Sequence, residues 1–447
     1  MRMKKTAVIL LVFILTLLTL LAACVEKGEE STAESIDSAS SVGSEDSKEN
    51  SSKEDSGSSS AETESLPAID NKETEYLNVL GCTLTDKNSF VVVGQCEKEA
   101  IIEAETAGGQ SVSADTDNGY YSVRLKKEGT KTRVYIKATG TLVEEYALDA
   151  KPIVPNSDMW PIVGASGYNF FFQKMMPDFM QTNTLSEKQL GTLTEKIRNR
   201  VSELDNTLFG TEIIYLIVPS KASIYPELVP EDYAKGTGES KLEQVNNALE
   251  AGGATVIDLL DVFSEHKDDE YKLYWKTDSH WTDYGAYIAY NALFDYISGE
   301  FPGAAPRPVE DFDFAEDYYN GGDMIFYMMM DQDKVKEFNY YRTPAFDMNS
   351  EIAEVKRYRA PNYLMYDEGG MVPERQFSTG NKALPDFLVM RDSYSTQIYD
   401  ILADRGNNTL YKSMWNYAFN ISEITEVAPD YIIYILAEWN IDSILQS

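Results

Sequence analysis

Four short and almost unbroken apolar runs constrain the fold of this chain most. Each has the length of a strand, and they span residues 212–219, 254–259, 386–390 and 431–436. Runs without polar alternation are typical of strands in a parallel sheet that is covered on both faces. Helical patterns lie around them, at residues 185–204, 241–251 and 283–297. This succession predicts an α/β fold with a parallel sheet flanked by helices, in which ligands bind at the carboxyl ends of the strands.

The N-terminus carries a targeting signal. A basic start precedes an apolar run over residues 7–21, and Leu-Ala-Ala then leads into Cys24. Small residues before a cleavage site mark a secretory signal peptide, and this ending resembles a bacterial lipobox. The resemblance implies a lipoprotein signal peptide over residues 1–23, a lipid on the Cys24 sulfur, and a location at the extracellular face of the cell membrane. An uncleaved membrane anchor is the alternative, although the run is short for a full span.

The next segment is strongly acidic. Residues 25–70 hold 13 acidic and 3 basic residues and almost no large apolar side chain. Such a segment cannot bury enough surface to fold, so residues 24–70 are predicted to be a disordered tether. The whole chain has a formal net charge of −34. A surface of this charge repels phosphate backbones, which excludes nucleic acid as a partner.

Residues 71–152 have a different pattern. Short strand-like runs are separated by turn signals, at residues 91–94, 100–104, 120–125 and 133–138. This spacing predicts a small β-sandwich, which resembles the Ig-like accessory domains of exported bacterial proteins and would serve in binding or as a spacer. Cys82 and Cys96 fall in this segment. An exported context allows a disulfide between them, and two buried free thiols are the alternative.

The chain contains only two histidines, so few residues can supply imidazole chemistry. His266 lies in a charged stretch that is typical of an exposed loop. His280 lies just before a predicted helix, and Asp278, two residues earlier, is placed to accept its Nδ1–H. By itself this spacing is more typical of a structural histidine. The spacing of the two histidines is also poor for a zinc site, so neither a metal nor another cofactor is expected.

A serine follows one of the predicted strands directly. The run 386–390 leads within three residues to Ser393, and a helical pattern follows over residues 396–402. A serine in such a turn presents its hydroxyl at the carboxyl end of the strand, and its N–H can help bind an oxyanion. The alternative is a capping role, in which Ser393 or Ser395 begins the helix.

The block YWKTDSHWTDYG, residues 274–285, resembles the acetyltransferase branch of the SGNH-hydrolase superfamily, which includes alginate O-acetyltransferases of the AlgJ and AlgX type and the DHHW proteins. In that family an Asp-x-His-Trp motif precedes a serine in a Gly-Asp-Ser-like turn. Further similar segments occur in the family's order, at residues 163–170, 218–227 and 322–324. Two positions depart from the pattern: Ser279 stands where DHHW proteins have a first histidine, and Arg391 where many members have glycine.

The resemblance covers about residues 158–447 and implies an SGNH-like acetyltransferase domain, which the change in sequence pattern places over residues 153–447. Ser393 would be the nucleophile, His280 the general base and Asp278 the orienting acid. Acetyl groups would pass through an acetyl-serine to an extracellular polysaccharide, with a membrane O-acyltransferase as acetyl donor. A carbohydrate acetylesterase and a non-catalytic glycan-binding lipoprotein are the alternatives.

Some further residues are candidates for binding. Trp275, Trp281 and Tyr394 lie near the proposed site in sequence and have rings that can stack on sugars, and Lys221 lies in a segment similar to the family. Asp323 is read as a turn residue rather than a site residue. Candidates for the oxyanion donors, by residue type only, are Asn407, Asn408 and Asn416.

Overall fold

The computed structural model describes residues 76–156, 159–208, 210–348, 353–354, 374–414 and 418–446. All of them belong to one unit, Pro67–Ser447. The expected signal peptide, its Cys24 and the tether lie outside the described residues, as does Asn416. Within the described part of the chain, no helix combines the length and the apolar character that a membrane span needs.

The N-terminal region is built from antiparallel strands. These are β1 (Asn78–Leu84), β2 (Ser89–Gln95), β3 (Ile101–Thr106), β4 (Ser111–Asp115), β5 (Tyr120–Lys126), β6 (Thr132–Thr139) and β7 (Val143–Ala150). They form two sheets, with strand orders β1-β2-β5 and β4-β3-β6-β7. Apolar side chains from both sheets share one core, among them Val92, Val123, Ile102 and Ile136. The β-sandwich predicted from the short runs is therefore confirmed.

The disulfide expected between Cys82 and Cys96 is not formed, and both thiols are free. The register of β1 and β2 places Cys82 opposite Val92. Cys96 lies four residues further along, which at about 3.3 Å per residue is about 13 Å. A disulfide joins Cα atoms that are at most about 7 Å apart, so the strand register separates the two thiols.

The rest of the described chain alternates strands and helices. Its strands are β8 (Pro161–Gly164), β9 (Gly167–Phe172), β10 (Glu212–Val218), β11 (Thr255–Val256), β12 (Phe312–Asn320), β13 (Lys336–Pro344), β14 (Ala353–Glu354), β15 (Arg375–Ser378), β16 (Phe387–Arg391), β17 (Asn408–Ser413) and β18 (Tyr431–Ala437). Its α-helices are α1 (Met176–Phe179), α2 (Glu187–Thr207), α3 (Lys221–Ile224), α4 (Lys241–Ala251), α5 (Leu259–His266), α6 (Asp283–Ile297), α7 (Asp323–Tyr327), α8 (Tyr399–Asp404), α9 (Ile421–Val427) and α10 (Asp442–Gln446). Short 3₁₀ turns occur at Gln173–Met175, Pro226–Leu228, Pro302–Ala304, Val309–Asp311, Ser393–Gln397 and Glu438–Asn440.

The central sheet has the strand order β11-β10-β18-β16-β17-β15-β14. From β11 to β17 neighbouring strands are parallel, and β15 and β14 add antiparallel pairs at one edge. This confirms the predicted α/β fold with a largely parallel sheet. The predicted strand at residues 254–259 is shorter than expected, because the Asp258 carboxylate accepts from the Leu260 N–H and caps α5 instead.

Both faces of the sheet are buried, which explains the unbroken apolar runs. Along β10, Ile214 and Leu216 pack into a core with α6, whereas Ile213 and Ile217 pack into a second core with α2 and α4. Burying each such side chain contributes about 1.5–3 kcal/mol. A single polar substitution in β10 would therefore disturb one of the two layers.

The helix that follows the histidine motif begins as the sequence predicts. The Thr282 hydroxyl accepts from the Gly285 N–H and caps α6. His266 does not lie in a loop as expected but is the last residue of α5. The hairpin of β12 and β13 is paired from Phe312↔Pro344 to Asn320↔Lys336. At one end Phe312 packs against Tyr287 of α6, and near the other Glu337 accepts from Lys276 in the loop that carries His280.

Candidate active site

The candidate site lies at the carboxyl end of β16, beside those of β10 and β18. β16 ends at Arg391, and the buried Asp392 then begins a 3₁₀ turn by accepting from the Tyr394 N–H at 2.9 Å. The second oxygen of Asp392 accepts from the Ala437 N–H, 2.9 Å away, and from the Asn440 amide, 2.7 Å away. Asp392 therefore connects two parts of the site, namely the turn that carries Ser393 and the end of β18.

The structure brings Ser393, His280 and Asp278 together. His280 Nε2 lies 2.8 Å from the Ser393 hydroxyl, and its Nδ1 lies 2.6 Å from Asp278 Oδ1. The same carboxylate oxygen accepts from the His280 backbone N–H at 2.9 Å. With Nδ1–H donated to Asp278, Nε2 remains the acceptor for the serine proton. This is the geometry of a Ser-His-Asp triad.

Opposing effects set the pKa values of the histidine and its carboxylate. Burial alone would raise the pKa of Asp278, but the charge and hydrogen bonds of His280 outweigh it and hold that pKa well below its usual range. Burial would likewise lower the pKa of His280, but Asp278 outweighs it and raises the pKa to about 9. The pair therefore favours the imidazolium that forms when His280 takes a proton.

Lys221, expected to bind substrate, instead supports the loop that carries Asp278. Its side chain is buried, and Nζ donates to the carbonyl oxygens of Trp275 at 2.8 Å, Lys276 at 3.2 Å and Asp278 at 3.4 Å. Burial lowers the pKa of Lys221 to about 8. The expectation was wrong because the start of α3 places this side chain beneath the loop and away from the cleft.

Glu337, which no sequence pattern singles out, holds the same loop from the other side. It lies on β13 and is buried, and its carboxylate accepts from the backbone N–H groups of Lys276 at 2.6 Å and Thr277 at 2.8 Å. It also accepts from the Thr277 hydroxyl at 2.8 Å. Burial raises the pKa of Glu337.

Trp281 and Tyr394 do not face a substrate either, since both are fully buried. The Trp281 indole donates to the Tyr394 carbonyl at 2.8 Å, and the Tyr394 hydroxyl donates to the Ser279 carbonyl. The Tyr394 ring centre lies 4.6 Å from that of His280. These rings brace the imidazole, because buried aromatic side chains pack their faces and pair their polar tips.

A cleft of about 630 Å³ opens over the triad. Ser393, His280 and Asp278 lie in its lining, and its aromatic walls are Phe326, Tyr327 and Trp439. None of these three aromatic residues was selected from the sequence, although Trp439 follows β18 at the edge where ligands are expected. Trp275 lines a smaller cavity of about 200 Å³, which shares Asp278, Gly322 and Gln397 with the cleft.

Two of the asparagines considered as oxyanion donors lie elsewhere. The side chains of Asn407 and Asn408 both donate to Asp386, at 2.8 and 2.9 Å. Asp386 precedes β16, so these amides are at the opposite end of the strand from Ser393. Asp323, read as a turn residue, does lie at the site, with Oδ2 3.8 Å from His280 Nδ1.

Asp278, His280 and Asp323 form a group whose ligand atoms lie within 4.8 Å of one another, close enough to hold a metal ion. The carboxylate oxygens are already used, however. Asp278 accepts from both N–H groups of His280 and from the Asp323 N–H, and Asp323 accepts from the N–H and hydroxyl of Ser279. This donor set suits a fixed imidazole better than a metal ion.

A family comparison agrees with this geometry. Residues 171–348 match the family model described as "SGNH hydrolase-like domain, acetyltransferase AlgX". The match confirms the resemblance predicted from the motifs and supports an SGNH-type acetyltransferase as the class of enzyme. It covers Asp278 and His280 and ends before Ser393. No functionally curated protein matches the sequence.

Solved structures similar to this chain include a DHHW family protein from Eubacterium siraeum, with 15% identity, 56% of this chain and 88% of that chain covered, and a TM-score of 0.43. Bacillus cereus PatB1 has 17% identity and a TM-score of 0.44, and the match covers 57% of this chain and 92% of PatB1. The O-acetyltransferase domain of Pseudomonas putida AlgJ has 15% identity and a TM-score of 0.39, and the match covers 66% of this chain and 93% of that domain.

Proposed function

We propose that this protein is an exported, lipid-anchored O-acetyltransferase that acetylates hydroxyl groups of a cell-surface or extracellular polysaccharide through an acetyl-serine. One observation carries the proposal: the hydrogen-bonded chain from Ser393 through His280 to Asp278 opens into a cleft. The AlgX family match supports acetyl as the group transferred.

In the first step His280 Nε2 takes the Ser393 proton while the serine oxygen attacks the acetyl carbonyl. The resulting imidazolium is stabilised by Asp278, which is 2.6 Å from Nδ1. The tetrahedral intermediate collapses, the bond to the donor oxygen breaks, and His280 returns its proton to that oxygen. The products are acetyl-Ser393 and the deacetylated donor, which we assign to a membrane O-acyltransferase partner.

In the second step a sugar hydroxyl replaces the donor. His280 removes its proton, and the oxygen attacks acetyl-Ser393. The bond between the acetyl carbon and the serine oxygen then breaks while His280 returns the proton to that oxygen, which releases the acetylated sugar and restores the serine hydroxyl. A volume of about 630 Å³ is within the usual range for small-ligand sites. The rings of Phe326, Tyr327 and Trp439 provide apolar faces on which a sugar can stack.

A carbohydrate acetylesterase is the second candidate. The side chains of His280 and Asp278 remain 17% and 23% exposed, so water reaches the triad in this form of the protein. Water in place of the sugar would hydrolyse acetyl-Ser393 by the same steps. Transfer therefore requires the acceptor to displace this water.

Incubation with an aryl acetate, with and without an oligosaccharide, tests these functions. We expect a mass increase of one acetyl group on Ser393 and acetylated sugar in the products. Acetate alone would favour the esterase. Glycan binding without any adduct would favour a non-catalytic lipoprotein. Ser393→Ala should give no adduct, whereas the control Ser202→Ala, at an exposed serine of α2, should behave as wild type.

The anchor has a separate test. Cells given a labelled fatty acid should incorporate it into the wild-type protein, which should partition with membranes. Cys24→Ala should carry no label and should be released from the membrane. Equal labelling of both proteins would contradict the anchor and leave the acetyltransferase proposal standing.

A further inference from the structure

Three consecutive residues, 322–324, clamp the loop that carries the catalytic pair. The Gly322 N–H donates to the Thr277 hydroxyl at 3.1 Å, and the Met324 N–H donates to the Thr277 carbonyl at 3.2 Å. Between them, the Asp323 N–H donates to Asp278 Oδ2 at 2.9 Å. A Cβ at Gly322 would lie 2.4 Å from the Asp278 Cβ, so this close approach needs glycine.

The side chain of Asp323 holds Ser279, the residue between Asp278 and His280. Its Oδ1 accepts from the Ser279 N–H at 2.8 Å, and its Oδ2 accepts from the Ser279 hydroxyl. Ser279 is only 1% exposed. Asp323 Oδ2 also lies 3.8 Å from His280 Nδ1. A second carboxylate therefore lies beside the imidazole that Asp278 already contacts.

These contacts fix the Asp278 carboxylate from both sides. Oδ1 accepts from His280, and Oδ2 accepts from the Asp323 N–H. The carboxylate plane, and with it the imidazole plane, is thereby set before any substrate arrives. Misplacing a catalytic group by about 1 Å can cost about 10²-fold in rate, so such contacts bear directly on turnover.

We propose that Asp323 is a positioning residue of the acetyl-transfer site: its N–H orients Asp278, and its carboxylate, through Ser279 and by its nearby charge, keeps His280 in line with Ser393. The inference rests on the function proposed above. It also gives a role to Ser279, which stands where DHHW proteins have a first histidine.

Several titratable or charged groups face His280 and Asp323, so a pH test must account for all of them: Asp278 on the same loop, Asp392 after β16, Lys221 on α3, Tyr327 on α7 and Tyr394. Burial and the charge of Asp278 raise the pKa of Asp323. The Asp323 charge in turn helps to raise the pKa of His280. Removing that charge while the other groups stay in place should lower the pKa of His280.

The test compares wild type, Asp323→Asn and Ser279→Ala in aryl-acetate turnover. Asp323→Asn keeps the size and the N–H to Asp278 but removes the charge. We expect kcat to fall about 10²-fold with KM within about twofold, and the rising limb of the pH profile to move to lower pH. Ser279→Ala removes only the hydroxyl and should lower kcat by a smaller factor with KM unchanged.

A merely structural role would lower the melting temperature and leave both kcat per folded molecule and the pH limb unchanged, and that result would overturn the inference. If Asp323→Asn does not fold, Ser279→Ala decides, and a wild-type kcat in that variant would also overturn it. The proposed function fails separately, if wild type forms no acetyl-Ser393. Acetyl-Ser393 in wild type, with unchanged kinetics in both variants, would refute the positioning role alone.

Discussion

Among the residues that the structure describes, two histidine–aspartate pairs have nearly equal distances between Nδ1 and a carboxylate oxygen, and only one of them has a serine hydroxyl on its other imidazole nitrogen. His280 Nδ1 lies 2.6 Å from Asp278, and His266 Nδ1 lies 2.7 Å from Asp269. The side chains of the first pair are 17% and 23% exposed, and those of the second are 39% and 37% exposed. A short contact between imidazole and carboxylate therefore does not by itself mark an active site.

The difference lies in what surrounds each pair. His280 Nε2 lies within hydrogen-bonding distance of the Ser393 hydroxyl, and Asp278 Oδ2 accepts a hydrogen bond from the Asp323 N–H. His266 ends a surface helix, and its partner Asp269 instead accepts from the Tyr284 hydroxyl at 2.5 Å. The first pair thus differs from the second in its deeper burial and in the serine hydroxyl on its second imidazole nitrogen.

Removing the proposed nucleophile should have the largest effect on activity. Without the Ser393 hydroxyl, the His280–Asp278 pair has no serine on its Nε2 among the described residues, like the His266–Asp269 pair. Ser393→Ala should lower acetyl-enzyme formation and aryl-acetate turnover at least about 10³-fold while the fold is kept. Stopped-flow measurement of the acylation burst, with circular dichroism to verify folding, checks this. A burst of wild-type size would show that another residue is the nucleophile.

Replacing each histidine in turn compares the pairs directly. His280→Ala should lower kcat/KM about 10²- to 10⁴-fold, because the general base is lost. His266→Ala should stay within about twofold of wild type, since neither His266 nor Asp269 is among the residues that line the cleft. Equal losses in the two variants would remove the distinction between the pairs.

The pH profile should also separate the pairs. His280 acts as a base only when neutral, and its pKa is raised to about 9 because Asp278 outweighs the effect of burial. The acylation rate should therefore rise about tenfold per pH unit up to about pH 9, and not level off near the usual histidine value of about 6.5. Asp278→Asn should move this limb to lower pH, whereas Asp269→Asn should leave it in place.

The same raised pKa links the protonation of His280 to stability. Protonated His280 stabilises the folded state, and this stabilisation is fully present below about pH 6.5. It is lost as the pH rises through about 9, because the folded state then no longer binds the extra proton. Denaturant unfolding of wild type and His280→Ala at pH 6 and pH 10 measures it. The free energy of unfolding of wild type, relative to that of His280→Ala, should be higher at pH 6 than at pH 10.

The smallest effects concern the lysines next to each pair. Lys221→Met leaves buried carbonyl groups of the His280 loop without their donor and should lower the free energy of unfolding by about 1–3 kcal/mol. Lys267→Met removes only a contact of 3.7 Å with Glu227 at the surface and should change it by less than about 1 kcal/mol. Thermal melts of the two variants compare their stabilities, and Lys221→Met should have the lower melting temperature. A lower melting temperature for Lys267→Met would contradict the supporting role of Lys221.

Local patterns in the sequence were sufficient to predict the layers of the fold. The runs that became β10, β16 and β18 are apolar on both faces because both faces are covered, and α4 and α6 begin and end where their patterns do. Ser393 became a candidate because it follows a strand, and His280 because the chain has so few histidines, but only the family resemblance joined the two in one predicted site. The predicted helix at residues 396–402 was only partly right, since a 3₁₀ turn precedes α8.

The sequence by itself thus determined the sheet, the helices and the candidate residues for acyl transfer, because periodicity and residue type are local properties. Only the tertiary structure decided that Trp281, Tyr394 and Lys221 face inward, that Cys82 and Cys96 stay apart, and that Phe326, Tyr327 and Trp439 line the cleft. It also brought Glu337 and Asp323 to the loop of His280 from distant parts of the chain. A buried polar group must find a partner, but which partner it finds depends on how elements far apart in sequence pack together.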